Sequence, residues 1–180
     1  YGRGGAFLIT PLDRGKVFSR ELFSEDHKMF DQAAREYGET RILKSREDLN
    51  TLNKELSLEI FKEMGELGFL GVDVPEEFGG LALDKTTSCI IVEALSSGRN
   101  ASIMVTASAH TGIAMLPIVW YGSKEQKAKY LPKLASGEWM GCYSLTEPGA
   151  GSDALSGTTT AALNDEGTHY VLNGTKIYVT

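Results

Sequence analysis

The sequence predicts an α+β protein, in which a helical domain precedes the beginning of an antiparallel β domain. Apolar residues recur at helical spacing up to residue 137, in segments that open on N-cap residues. From residue 139 the apolar period shortens to two, and the turn sequences Asp165-Glu166-Gly167 and Asn173-Gly174 separate short segments. We therefore expect an extended arm over residues 1–20, a helical domain over residues 21–137 and part of a β domain over residues 138–180.

Capping residues and apolar stripes place the predicted helices. N-caps precede four apolar segments, at Ser24, Asp84, Asn100 and Ser123. A further helix is predicted from an apolar stripe after a charged loop: Leu52, Leu56, Ile60, Met64 and Leu67. The segment after Asp84 is rich in β-branched residues, so a strand is the alternative there. Pro117 is expected to kink or restart the helix that follows Asn100.

The predicted strands cover residues 139–145, 158–163, 169–172 and 176–180. The last of these reaches the end of the sequence without a partner strand. A terminal strand in an unfinished sheet predicts that the chain is part of a longer protein.

Composition and charge argue against several classes of protein. The net charge of −6 argues against a nucleic-acid partner. Cys89 and Cys142 have no metal-ligand spacing, so we expect reduced, buried thiols that pack as small apolar groups. The uncharged segment 100–123 is long enough to cross a membrane. Its polar residues and Pro117 predict a buried helix instead.

The most informative segment is residues 142–153, a predicted strand that runs into a tight turn. Gly149, Ala150 and Gly151 leave little side-chain bulk, so backbone N–H groups there can approach an anion or a ring closely. Thr146 and Ser152 add hydroxyl groups at its edge. The alternative interpretation is a plain β-turn with polar side chains.

The string Tyr-x-Leu-Thr-Glu-Pro-Gly-Ala-Gly-Ser-Asp over residues 143–153 resembles the signature of the acyl-CoA dehydrogenases. These flavoenzymes desaturate fatty acyl-CoA thioesters. Residues 75–80, 130–137 and 172–176 are similar to other strings of the family, and residues 4–9 resemble the very-long-chain branch and its bacterial relatives. Those proteins are longer than this chain and continue into a helical C-terminal domain.

The resemblance implies an FAD site and an acyl-binding surface. Flavin contacts are implied for Tyr143, Leu145 and Thr146, and for the segment Tyr178, Val179 and Thr180. Tyr178 stands where the family usually has tryptophan, although another aromatic ring can still stack. Gly151 and Ser152 would lie by the FAD pyrophosphate and the pantetheine arm of the substrate. The acyl chain would contact Val105, Ala109 and Gly112.

The resemblance also implies the reaction: FAD-dependent α,β-dehydrogenation of long-chain acyl-CoA to trans-2-enoyl-CoA in fatty acid β-oxidation. The family's base is a glutamate of the C-terminal domain, so no catalytic residue is assigned within this chain, and the chain alone is expected to be inactive. Glu147 is expected to support the turn. His110 is expected to be a core residue, with a base near the acyl cavity as its alternative role.

The same resemblance implies an electron acceptor, an oligomeric state and a location for the protein. The electron acceptor would be an electron-transfer flavoprotein, and the protein would form a homodimer or homotetramer. It would reside in the bacterial cytoplasm or the mitochondrial matrix, with a membrane contact only through a C-terminal part. Three alternatives share the fold: an acyl-CoA oxidase, a flavin monooxygenase relative and a non-catalytic assembly protein.

Overall fold

The computed structural model describes residues 19–179, in which a layer of helices precedes one β-hairpin. The α-helices are α1 (Glu25–Tyr37), α2 (Arg46–Asn50), α3 (Lys54–Glu66), α4 (Lys85–Leu95), α5 (Ala101–Ala109), α6 (Leu116–Tyr121) and α7 (Lys124–Ala135). The strands are β1 (Thr160–Leu163) and β2 (Tyr170–Asn173). The predicted α+β class is therefore confirmed. Most of the predicted arm, residues 1–18, lies outside the described residues.

The predicted N-caps are confirmed by hydrogen bonds. The side chains of Ser24, Asp84, Asn100 and Ser123 each accept a hydrogen bond from a backbone N–H in the first turn of the following helix. The segment after Asp84 is helical, so the strand alternative is wrong. The second predicted helix begins later than expected, because Asn53 caps α3 while Leu52 is 90% exposed in a left-handed backbone conformation. The predicted charged loop also contains α2.

Both ring nitrogens of His27 have hydrogen-bond partners at helix N-termini. His27 is buried at the third position of α1, and its Nδ1 accepts a hydrogen bond from the Ser24 N–H to complete a capping box. Its Nε2 lies 3.2 Å from both carboxylate oxygens of Asp84, the N-cap of α4. The ring therefore joins the N-termini of two helices that pack against each other.

Two apolar clusters hold the helical layer together. The larger lies between α1, α3, α4 and α5 and includes Ile42, Ile60, Phe61, Met64, Leu70 and Ile91. The smaller joins α6 and α7 to the segment before α4 and consists of Val74, Phe78, Met115, Leu131, Leu134 and Ala135. Burial of these side chains is the main stabilising contribution to this layer.

A π-helical segment, His110–Ala114, lies between α5 and α6. The N–H of Met115 donates to the carbonyl of His110, five residues earlier. The prediction that the helix restarts near Pro117 is confirmed, since α6 begins at Leu116.

The whole stretch Ala101–Tyr121 is long and apolar enough to cross a membrane by length and composition. Only 28% of its most apolar 18 residues are buried, fewer than the prediction of a buried helix requires. It does supply Ile103, Ala107 and Met115 to the two apolar clusters, as a packed core helix would.

The β region departs from prediction at both ends. β1 and β2 pair antiparallel with Thr160 opposite Asn173, and Gly167 occupies the connecting turn with a positive φ of 66°, as predicted. Residues 139–145 and 176–179 were predicted as strands and are not, because neither segment has a partner ladder within residues 19–179. Asn173-Gly174 therefore closes no hairpin here.

Candidate functional site

The turn at Glu147 is built on a buried carboxylate. The backbones of Glu147 and Ala150 exchange two N–H···O=C bonds, at 3.0 and 3.1 Å, which closes the turn. The Glu147 side chain points inward and is 4% exposed. Its oxygens accept hydrogen bonds from the N–H groups of Thr158 and Thr159 and from the Thr158 hydroxyl. The predicted structural role of Glu147 is therefore confirmed.

Lys176 completes this arrangement from the far side of the hairpin. Its Nζ lies 2.7 Å from Glu147 Oε1 and donates to the carbonyl of Leu145 at 2.9 Å. The next N–H along the chain, that of Ile177, donates to the carbonyl of Thr146 at 2.9 Å. The ammonium of Lys176, followed by the donors at residues 158 and 159, holds the pKa of Glu147 far below its usual range. The carboxylate is therefore charged and fully engaged at neutral pH.

The outer face of the turn is open. A Cβ added to Gly149 or Gly151 would meet no heavy atom within 4 Å, so neither glycine is required by packing within the described residues. Tyr143 and Leu145 are 46% and 45% exposed on the extended segment that leads into the turn. Small residues beside exposed apolar ones leave space for a flat ligand to approach the backbone.

The two segments with implied flavin contacts lie side by side. The hydrogen bond from Ile177 to Thr146 joins them, one residue before Tyr178. Tyr178 is 89% exposed and has a positive φ of 56°, and Val179 is 45% exposed. Ser152 lies in the exposed loop after the turn. Thr180 lies outside the described residues.

The residues with implied acyl contacts line two adjoining grooves between α4 and α5. Val105 and Ala109 line one of about 300 Å³, together with Val92, Met104, Ser108 and Ile113. Gly112 lines the neighbouring groove of about 520 Å³, which shares Val92, Met104 and Ser108 with the first. The π-helical segment begins between Ala109 and Gly112, and its extra residue per turn rotates Gly112 away from the face of Val105.

His110 is a core residue, and the geometry does not support a role as base. It is fully buried, with its ring edge-to-face on Phe61 at 4.8 Å between centroids. Its Nδ1 accepts from the N–H of Gly141 at 2.9 Å, and its Nε2 lies 3.0 Å from the carbonyl of Leu134. These partners fix the neutral tautomer with the proton on Nε2. Burial lowers the pKa of His110 from 6.5 to about 4, partly offset by the bond to Leu134.

Sequence reasoning missed some of these features. Lys176 was recognised only as part of a family string, because nothing in the sequence places it beside Glu147 before the hairpin forms. Thr158 was given no role. The expectation of buried thiols is wrong, since Cys89 and Cys142 are both exposed. Cys89 lines the larger groove, where one side of α4 is not covered.

Comparison with known proteins agrees with this geometry. The family model described as "Acyl-CoA dehydrogenase, N-terminal domain" matches residues 24–138, and that described as "Acyl-CoA dehydrogenase, middle domain" matches residues 142–180. A probable acyl-CoA dehydrogenase of Bacillus subtilis is 49% identical over 178 residues, which cover 99% of this chain and 30% of that protein. The human mitochondrial short-chain specific acyl-CoA dehydrogenase is 39% identical over 164 residues, 91% of this chain and 39% of that protein.

The similarity extends to three dimensions. An acyl-CoA dehydrogenase from Bacillus anthracis, solved in complex with FAD, superposes with a TM-score of 0.92 at 48% identity. The match covers 99% of this chain and 30% of that structure, so the chain spans about a third of the length of these relatives. Since both family models match and the first covers more than half of the sequence, the chain belongs to the acyl-CoA dehydrogenase family.

Proposed function

We propose that this chain is the N-terminal part of an FAD-dependent enzyme that dehydrogenates acyl-CoA thioesters between the α and β carbons. The observation that carries the proposal is the open turn at residues 149–151. It is held rigidly from within by Glu147, and yet no packing within the described chain requires its two glycines, Gly149 and Gly151. Such a turn is suited to a ligand that contacts backbone N–H groups. The FAD complex of the B. anthracis relative supports the choice of ligand.

The residues around the turn fit FAD, because the two glycines leave its outer face open to a ligand. Tyr143, Leu145 and Thr146 would hold the flavin ring on one side, with Tyr178, Val179 and Thr180 beside it. Gly151 and Ser152 would lie at the pyrophosphate and the pantetheine arm. FAD, when bound, supplies the acceptor for the hydride that leaves the β carbon. The contribution of this chain is to position the ring, to shield it from water and to line the acyl pocket.

The α-proton of the substrate requires a base from outside these residues. A base needs a free lone pair within hydrogen-bond reach of the proton that it removes. Glu147 is saturated by Lys176, Thr158 and Thr159. His110 has both nitrogens engaged and is buried away from solvent. We therefore assign no catalytic residue within this chain and place the base in the part of the protein that follows it.

We propose a long acyl chain as the substrate. Val105 and Ala109 on α5 are modest side chains, and the first groove continues into a second one beside Gly112 of the π-helical segment, with no large polar residue on α5 to close it. Several relatives are named as short-chain enzymes, so the length preference is a proposal about this groove and not about the family. Fatty acid β-oxidation is the pathway that such an activity serves.

The remaining expectations belong to the complete protein. We propose an electron-transfer flavoprotein as its electron acceptor and a homodimer or homotetramer as its assembly. The relatives include bacterial and mitochondrial proteins, so we propose the bacterial cytoplasm or the mitochondrial matrix as its location.

The proposal is tested by the flavin content of the full-length protein and of a Gly151→Leu variant. A leucine at this position has space within the chain but fills the approach to the turn, so the variant should fold and fail to bind FAD. Ala161→Leu, a similar enlargement on exposed β1, should retain the flavin spectrum. A wild-type protein without bound flavin after reconstitution with FAD contradicts the proposal.

A further inference from the structure

Lys176 makes contacts that an ion pair for stability alone does not require. A lysine that only neutralised Glu147 would leave its other donors to solvent. Here Nζ also donates to the carbonyl of Leu145, at 2.9 Å, while remaining 2.7 Å from Glu147 Oε1. The side chain is only 28% exposed, so both bonds form in a largely desolvated position.

These bonds fix the relative position of two chain segments. Leu145 and Thr146 precede the turn, and Lys176 and Ile177 follow the hairpin, about thirty residues later. The Lys176 ammonium to Leu145 carbonyl bond and the Ile177 amide to Thr146 carbonyl bond lie on consecutive residues of both segments. Together they join the segments without forming a β-ladder, since neither segment is a strand within residues 19–179.

Glu147 extends the same connection to a third segment. Its carboxylate accepts from Lys176 and from the N–H groups of Thr158 and Thr159, immediately before β1. The turn, the segment that enters the first strand and the segment after the second strand therefore meet at one buried carboxylate. A shift of any one segment breaks a charge-assisted hydrogen bond.

We infer that Lys176 is a positioning residue for the cofactor: through the Leu145 carbonyl and Glu147 it sets the spacing between residues 143–146 and residues 177–179. This inference rests on the proposed function, because those two segments are the ones that would contact the flavin ring. Lys176 itself points toward Leu145 and Glu147, so it acts through these residues and not by contact with the ring.

The test uses the full-length protein with Lys176→Met, which keeps the length of the side chain but removes its charge and donors. We expect the FAD dissociation constant to rise about tenfold or more, the loss expected for a charge-assisted hydrogen bond. With FAD saturating, the flavin absorption maximum and midpoint potential should shift. Amide exchange at residues 143–147 should accelerate. Lys176→Arg, which retains charge and donors, should restore most of the potential and affinity.

A matched control is Lys62→Met in α3, where an exposed lysine makes a long 3.9 Å ion pair with Glu66. This variant should leave the potential and the absorption maximum unchanged. A second variant, Glu147→Gln with Lys176→Met, removes both charges and avoids an uncompensated buried carboxylate if the single variant folds poorly. It should show the same spectral shift.

The outcomes separate this inference from the proposed function. If wild-type protein binds no FAD, both the proposed function and the inference are wrong. If wild-type protein binds FAD and Lys176→Met lowers only the melting temperature, with an unchanged saturated spectrum and potential, the proposed function stands. In that case Lys176 is merely a stabilising residue, and the inference is wrong.

Discussion

Gly141 and His110 meet so closely that no side chain fits between them. The Gly141 N–H donates to Nδ1 of His110 at 2.9 Å. A Cβ on Gly141 would lie 2.9 Å from the Cβ of Ala114 and 3.3 Å from that same nitrogen. The extended segment that leads to Tyr143 is thus attached to the helical layer at one buried imidazole.

Gly141→Ala should therefore destabilise the fold. The added methyl group forces Ala114 or the imidazole to move, which overpacks the site and weakens the hydrogen bond, at a cost of about 1–3 kcal/mol. Gly149→Ala is the control, because its Cβ has no neighbour within 4 Å and its effect should stay within about 0.5 kcal/mol. Urea denaturation of both variants measures the difference. Equal stabilities would contradict the described packing at Gly141.

His110 should make stability depend on pH. Its pKa in the folded protein is about 4, below the ordinary 6.5, so the unfolded chain binds more protons between these values. The contribution of neutral His110 to the free energy of unfolding should then be greatest above about pH 7. It should fall by about 3 kcal/mol as the pH decreases toward 4. Urea denaturation across this range measures the slope.

The control for this slope is His110→Gln, which can keep one hydrogen bond but does not titrate. The variant should be less stable at pH 7, with a flatter dependence on pH between 7 and 5. Glu147, whose pKa is lowered from 4.5, begins to lose its contribution below about pH 5, so the two proteins are compared between pH 7 and 5. An unchanged slope would show that another group is responsible.

Ala109→Gln should change the acyl length that the full-length enzyme prefers. The larger side chain fills part of the groove of about 300 Å³ that Ala109 shares with Val105 and Met104. Relative kcat/KM for long acyl-CoAs should fall by about tenfold or more against butyryl-CoA, a loss equivalent to a few methylene contacts. Ala128→Gln, on the exposed side of α7, should leave the ratio unchanged. A wild-type preference for butyryl-CoA, unaffected by Ala109→Gln, would contradict the assignment of this face.

Residues 1–180 expressed alone should bind FAD weakly or not at all and should not turn over acyl-CoA. Neither Glu147 nor His110 has a free lone pair to remove an α-proton. Anaerobic addition of acyl-CoA to the chain with FAD should leave the flavin absorption unbleached. Bleaching that Glu147→Gln or His110→Ala abolishes would place the base inside these residues.

Local sequence rules predicted the helical layer well, because caps and apolar stripes are properties of neighbouring residues. Ser24, Asp84, Asn100 and Ser123 all cap helices as expected. The rules failed where a distant partner decides the outcome. Residues 139–145 have strand-like alternation, but a strand also needs a ladder, and none is present within residues 19–179.

The same distinction applies to the candidate site. The signature string located the turn and assigned Glu147 a supporting role, because glycines and proline act locally. It gave no indication that Lys176 would be the partner of Glu147, since the two are brought together only when the hairpin folds. The burial of His27 has a similar cause, since it depends on α4, far along the sequence.

The π-helical segment His110–Ala114 changes the rotation of α6 about the helix axis relative to α5. One extra residue in that turn sets the angle of Pro117 and Trp120 independently of Val105 and Ala109. Deletion of a single residue there would restore ordinary α-helical phase and turn the upstream groove face by roughly 100° against the anchored imidazole. Such a deletion would turn the groove face together with Ile103 and Ala107, which lie in the core, so the length of this segment is fixed by the groove and the core at once.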